Sequence, residues 1–304
     1  MKKTLSILAI LIIAGTSVFA QGVQFLINPA DAVNFGLGGA AVATDATPFA
    51  IYNNPASMAL SGQKVGVGFS YGNWQPKAAE NSLVSLSGYY NFKEKFGIGI
   101  GYRSFSHQPY QITSNGSSGG TFKPKENAID LGVSYRVISN LSVGVNAKYI
   151  GSVLGEDMEA NSFGVDLGLM YQLDQLNLGL SATNVGSKIN YGGDDYSLPM
   201  MVKFGGAYNF EFNEIHKLML TAEVDYLEPA SSMMAGFGAQ YTFNDLLKVR
   251  SGYHYGDKTK ALPSYFASGL GLQFFGVSVD FSILLSSQSE ALKNTFMFGL
   301  SYSL

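Results

Sequence analysis

Cysteine is absent from the 304-residue chain. With it go disulfides, thiolate metal sites, thiol nucleophiles and a lipidated cysteine behind a leader peptide. Charge is sparse, at 13% of residues, with 19 basic against 22 acidic side chains. Nucleic acid is thereby excluded as a partner, because binding it takes a basic face that neutralises phosphates. The three histidines, His107, His216 and His254, show no ligand spacing. No metal or other cofactor is expected. Beyond residue 20 no stretch approaches the roughly 18 to 20 apolar residues of a membrane-spanning helix. No Gly-x-Ser-x-Gly elbow or Ser-x-x-Lys motif is picked out, so a hydrolase has no visible nucleophile and no enzyme activity is expected.

What the chain does have is glycine and aromatics: 36 Gly, 21 Phe and 18 Tyr, against a single tryptophan, Trp74. Aromatics suit the pleated surface of strands and glycine weakens helix interiors, which points to an all-β chain. At the start, Lys2 and Lys3 precede an apolar run from Leu5 to Ala14 and then Ser17-Val-Phe-Ala20. That pattern predicts a secretory signal peptide over residues 1–20 and a mature chain from Gln21. Residues 21–62 form the only long stretch without strand alternation; residues 63–304 carry alternation throughout.

In the first of those runs Val65, Val67, Phe69 and Tyr71 share one face, and Gly66, Gly68 and Ser70 the other. Phe96–Tyr102 repeats the pattern, and Ile129–Val137 sets Asp130, Gly132, Ser134 and Arg136 against apolar neighbours. About fourteen such strands follow one another, with short connections after the even-numbered ones and longer connections after the odd. Bacterial outer-membrane barrels have that rhythm, with both termini and the short turns in the periplasm. Strands of about ten residues at a tilt match the bilayer, and closure is required because an open edge cannot be satisfied in lipid. The expected fold is therefore a transmembrane, antiparallel, up-and-down β-barrel of about 14 strands in the bacterial outer membrane, with outer-membrane lipid around it. Residues 21–62 are expected to be a hatch or plug in its lumen. The competing reading is a soluble secreted sandwich, whose outer face would carry many charged and hydroxyl side chains. Here the alternate face is mainly Gly and Ser.

Charges on the lumen phase are Arg103, Asp130, Arg136, Lys148, Asp166, Lys203, Glu223, Asp225, Lys248, Arg250 and Asp280. Mixed signs do not make an ion-selective ring. They read either as a substrate path or, preferably, as a paired lining that holds the plug, since buried charges need partners. Within the plug, Gly36, Gly38 and Gly39 suit tight turns and close approach to the wall. Asn54-Pro55-Ala56 suits a turn that fixes entry into the first strand; the same tripeptide in helical water channels needs membrane helices and a second copy. Gly97-Ile-Gly-Ile-Gly101 looks like a phosphate loop, but no helix follows.

Several segments together carry a family resemblance: Phe25-Leu-Ile-Asn-Pro-Ala-Asp31, Gly36-Leu-Gly-Gly-Ala40 with Thr44-Asp45, and Tyr52-Asn-Asn-Pro-Ala56. Further along come Ala182-Thr-Asn-Val-Gly186 before Leu198-Pro199, and Gln240-Tyr-Thr-Phe-Asn-Asp245 leading to Arg250-Ser-Gly-Tyr253. Through these the sequence resembles the PorV/PorQ family of Bacteroidetes outer-membrane proteins, which is related to the FadL long-chain fatty-acid transporters. The resemblance implies a fourteen-stranded barrel with an N-terminal hatch. It also implies two activities: PorV-like members serve the type IX secretion system, and FadL-like members pass an apolar molecule through the wall after the hatch shifts.

The first functional expectation is a non-enzymatic interaction partner in protein secretion and surface attachment. It would engage secretion-system proteins or cargo through Ser104–Tyr110 and Ile189–Tyr196. The alternative is a passive transporter of a hydrophobic small molecule, held between plug and wall by Phe25, Leu26, Phe49, Ile51 and Met58. Those five serve equally well as plug packing. A purely structural envelope protein is a third class.

Overall fold

The computed structural model describes residues 22–77, 80–93, 95–114 and 117–304, so the signal peptide expected over 1–20 lies outside the described residues. The strands are β1 (Val65–Trp74), β2 (Asn81–Phe92), β3 (Phe96–Ser106), β4 (Tyr110–Ser114), β5 (Ser117–Phe122), β6 (Lys125–Ile138), β7 (Leu141–Gly155), β8 (Met158–Leu173) and β9 (Leu176–Gly186). After them come β10 (Ile189–Asn190), β11 (Asp195–Tyr196), β12 (Met201–Glu211), β13 (His216–Leu227), β14 (Ser232–Phe243), β15 (Leu247–Tyr255), β16 (Tyr265–Phe274), β17 (Val277–Ser287) and β18 (Phe296–Ser303). Fourteen of these close into one barrel, leaving β4–β5 and β10–β11 as separate two-stranded hairpins. Closure is made by β1 against β18, paired antiparallel from Gly66↔Ser303 to Asn73↔Phe296. The fourteen strands read from alternation are the fourteen of the barrel.

Alternation sets which way each side chain points. Along β3, Ile98 and Ile100 are each 59% exposed on the outside while Gly97, Gly99 and Gly101 face in. Leu131, Phe204, Phe237 and Leu270 repeat the outward placement on other strands. A belt of large apolar side chains outside a polar, small-residue interior is the inverse of a soluble core, and it matches a wall solvated by lipid. Aromatic pairs cluster toward the strand ends, such as Phe96–Tyr135 (centroids 4.9 Å apart) and Tyr208–Phe210 (4.4 Å) near the short turns, and Tyr149–Phe163 (5.2 Å) near the long loops. Amphipathic rings of this kind settle at the two membrane interfaces.

The short turns have hairpin chemistry. Asn244 and Asp245 both take positive φ, 53° and 51°, between β14 and β15; two successive left-handed residues match the twist of the flanking strands. At the other end the picture differs from the sequence expectation. The polar stretch from Ser106 to Glu126, read as a loop, contains the hairpin β4–β5. Its alternation is confined to Tyr110 and Ile112 in β4 and Phe122 in β5, too brief to mark a strand within a stretch otherwise rich in Gly and Ser.

Residues 22–62 make contacts with inward-facing residues of the wall at both of its ends. At the long-loop end the Gly22 N–H donates to the Ser197 carbonyl; near the short turns Asn91 Nδ2 donates to the Ser61 carbonyl (3.0 Å), and the chain enters β1 beside Leu304. Four short helical pieces make up the path: 3₁₀ turns at Gln24–Ile27 and Pro55–Leu60, and α1 (Ala32–Gly36) and α2 (Ala50–Asn53). Asp31 caps α1, its Oδ1 accepting from Val33 and Asn34 N–H. Asn54 caps the last turn by accepting from Ala56 N–H, with Pro55 in the first helical position, where its missing N–H costs nothing.

Inward-facing glycines of the wall make room for this segment. A Cβ built on Gly144 would stand 2.5 Å from the Ala56 nitrogen, and one on Gly252 would overlap the main chain at Leu37 and Gly38. Met58 lies against Gly97 and Gly99, and Ile51 against Gly132. Lumen glycine is thus a matter of close approach between two backbones. Gly144→Leu is expected to lower the stability of the folded barrel by about 1–3 kcal/mol through overpacking. Gly193→Ala, in open space, is expected to leave it unchanged. Urea melts followed by the heat-modifiable gel mobility of the barrel compare the two.

Candidate functional site in the barrel lumen

The wall charges form three clusters, two built across adjoining strands and the third across a strand that lies between its two members. On β6, β7 and β8, Lys148 Nζ lies 3.0 Å from Asp166 and 3.9 Å from Asp130, and Asn146 Nδ2 bridges the two carboxylates at 2.8 Å each. Asn184 joins them, its Oδ1 accepting from Lys148 (2.6 Å) and its N–H donating to Asp166 (2.7 Å). On β12 and β13, Lys203 Nζ pairs with Glu223 Oε1 at 2.6 Å, next to Asp225 in the ladder. On β15 and β17, Arg250 Nη1 pairs with Asp280 at 2.6 Å.

Several of these groups also grip the N-terminal segment. Glu223 Oε2 accepts from the N–H groups of Ala41 (2.8 Å) and Val42 (2.6 Å). Arg103 donates to the Leu26 carbonyl (3.3 Å) and stacks its guanidinium 4.6 Å from the Tyr52 ring centre. Arg136 Nε donates to the Ala59 carbonyl (3.1 Å). Neutral groups add to the grip: Ser142 Oγ donates to the Ala56 carbonyl (2.7 Å), Ser282 Oγ to that of Ala32 (2.6 Å), and Asn54 Nδ2 to both Val42 and Leu169. A buried charge stripped of water is tolerable only with such partners. The set therefore reads as a charge-balanced socket.

The five apolar residues expected around a ligand are all buried, but in three separate places. Phe25 stacks on Phe105 (6.1 Å) within the upper apolar cluster that also holds Leu26; Ile51 and Met58 sit with Ala50 and Tyr89; Phe49 covers Gly68. They do not line one pocket. Two cavities flank the segment instead. One of about 50 Å³ lies between Leu26, Asn34, Lys148, Lys203, Asp225 and His254, and is polar. The other, of about 870 Å³, opens among the short turns beneath Asp31 to Phe49.

The two stretches expected to be contact loops serve partly as a roof. Ser104 and Phe105 are buried in β3, Ile189 is fully buried against the upper cluster, and Tyr191 Oη donates to Ser152 Oγ (2.8 Å). Two hydrolase-like spacings escape a reading by motif, Gly68-Phe-Ser-Tyr-Gly72 and Ser61-Gly-Gln-Lys64. The first lies wholly within β1, where Ser70 is buried and donates to the Phe298 carbonyl (3.2 Å). In the second, Ser61 is hydrogen-bonded to Tyr89 (2.7 Å) at the entry to β1. Neither has the strand-to-helix turn that presents a nucleophile.

A sequence model for the family described as Type IX secretion system protein PorV matches residues 14–232. The chain belongs to the PorV family. No curated protein matches it by sequence. Among solved structures, the PorV-family barrel is similar to the toluene transporter TodX of Pseudomonas putida, with a TM-score of 0.67 at 15% identity over 91% of this chain and 98% of that one. It is also similar to the Ralstonia pickettii toluene transporter TbuX (0.63, 15%, 92% and 99%) and to a Pseudomonas aeruginosa FadL homologue (0.54, 13%, 91% and 98%). At such identities the likeness is one of fold. PorV and FadL-like barrels are not enzyme families, and the chain is a protein of the bacterial outer membrane.

Glu223 is the residue whose loss should be felt most, because it holds two main-chain N–H groups and neutralises Lys203. Glu223→Ala is expected to destabilise the protein by about 3–5 kcal/mol, the usual cost of leaving a buried charge without its partner. Adding Lys203→Met is expected to restore part of that. The single tryptophan provides the readout: Trp74 sits 5.9 Å from Phe35 of the N-terminal segment, so its fluorescence follows both unfolding and release of the segment.

Proposed function

We propose that the chain is a non-enzymatic outer-membrane protein that takes part in type IX-like protein secretion and surface attachment by binding secretion-system proteins or their cargo. The observation that supports this reading, beside the family match, is that Arg103, Arg136, Glu223 and Ser282 of the wall bond to the backbone of residues 22–62. Wall groups engaged in this way with the protein's own N-terminal segment leave the two ends of the barrel as the surfaces for partners. In this reading residues 21–62 act as a plug, and the leader over 1–20 is removed on export.

The transport reading has its own support. Solved barrels of the same fold are named as toluene transporters, and the apolar groups Leu26 and Ile27 line the small cavity. Against it, that cavity is small and lined by Lys148, Asp166, Lys203 and Asp225, charged groups beside which an apolar guest gains little. Solvent extraction of protein purified in mild detergent separates the two readings, a bound apolar compound favouring transport.

Deletion of the gene, with proteomics of the culture medium and cell surface, tests the secretion reading. The expected outcome is loss of a defined set of exported proteins from both fractions, restored by the intact gene. An unchanged secretome and surface proteome would overturn it.

A further inference from the structure

The large vestibule at the short-turn end shares only the Arg250–Asp280 pair with the socket. Its roof is the N-terminal segment between Asp31 and Phe49, and its wall is the inner surface of the strands as they reach their turns. Amides recur along that wall: Gln63 and Gln172, then Gln175 and Gln273, whose oxygens already accept from Tyr208 and Lys248 while their NH2 groups remain free among the described residues, and Asn177, whose Nδ2 donates to Asp45 (2.9 Å). Acid exceeds base there, six carboxylates to three cations. All three cations are engaged: Lys217 with Asp245 (2.9 Å), Arg250 with Asp280 (2.6 Å) and Lys248 with the Gln273 amide oxygen (2.6 Å). Asp45, Asp174 and Glu211 are left exposed and without an ion-pair partner among the described residues.

Two further observations bear on what the vestibule could bind. Asp31 is 1% exposed and lines the vestibule, yet its Oδ2 has no hydrogen-bond partner. The N–H groups of Asp45, Ala46 and Thr47, in the roof, donate to no acceptor among the described residues. Side-chain amides both donate and accept, as a peptide backbone does. Since the barrel is closed, no strand edge is available for main-chain pairing, so amides and the bare stretch 45–47 must serve in its place. Low-dielectric walls concentrate the field of the unpaired carboxylates at the mouth. A volume of about 870 Å³ lies within the roughly 300–1,000 Å³ of sites that enclose a ligand well above the size of an ion.

We propose that this vestibule receives an extended, positively charged polypeptide segment of a periplasmic protein. This deepens the secretion reading and rests on it. Expected on purified full-length protein in detergent is binding of a fluorescent peptide of alternating lysine and serine. It should bind about tenfold or more tightly than a glutamate–serine counterpart, with affinity falling as salt rises. The triple variant Asp45→Asn, Asp174→Asn, Glu211→Gln should weaken binding about tenfold, while Glu156→Gln with Asp157→Asn, at the opposite end, should not. Heat-modifiable gel mobility establishes that each variant is folded. Equal binding of both peptides, or indifference to the triple variant, overturns the proposal; spermidine binding as tightly as the peptide overturns it in favour of a small-cation site. The secretome of the deletion strain is read independently, so a failed vestibule with a secretion defect intact rejects only the vestibule.

Discussion

Hydrocarbon offers a main-chain amide nothing to bond with, and the architecture follows from that. Every strand that meets lipid must have two neighbours, so the sheet has to return on itself; β1 and β18 complete it with a ladder that runs nearly the length of both strands. Once the sheet is closed, outside and inside exchange the roles they have in a soluble protein. Ile98, Leu131 and Phe204 point into lipid, and the polar groups turn toward the axis.

The same turn of polarity creates the problem that the N-terminal segment solves. Lumen carboxylates and cations removed from water need partners, and empty space between facing walls forfeits contacts on both sides. Helices of four to six residues would not hold together alone, yet they persist here because Asp31 and Asn54 cap them and because the wall lacks Cβ atoms where they press against it. The two components are each incomplete. Glu223 illustrates the reciprocity: one oxygen balances Lys203 in the wall and the other ties down Ala41 and Val42.

The strands were legible in the sequence because alternation is local, and a run such as Phe96–Tyr102 declares both its faces without knowledge of its neighbours. The inward direction of Asp130, Lys203, Glu223 and Arg250 followed from the same phase. Their pairing did not, because Arg250 and Asp280 lie on strands that flank a third, and only the closed register brings them within 2.6 Å. Likewise, Ile51 and Met58 read as apolar residues free to contact a guest; that Gly132, Gly97 and Gly99 stand opposite them depends on nonlocal packing. The β4–β5 hairpin left only the short trace of Tyr110, Ile112 and Phe122, and Ile189 betrayed its burial under the roof only by being apolar in a polar loop.

The path of the N-terminal segment bears on how the molecule is assembled. Its first residue lies at the far end of the lumen from β1, under the β10–β11 hairpin, while its last lies beside the seam between the first and last strands. Threading such a segment through a finished cylinder would mean drawing capped turns past Glu223, Arg103 and the Gly144 wall. Zipping the seam around a segment already seated avoids that obstacle and lets its contacts guide the final strand into register. By that route the N-terminal segment would be the mandrel on which the cylinder is wound.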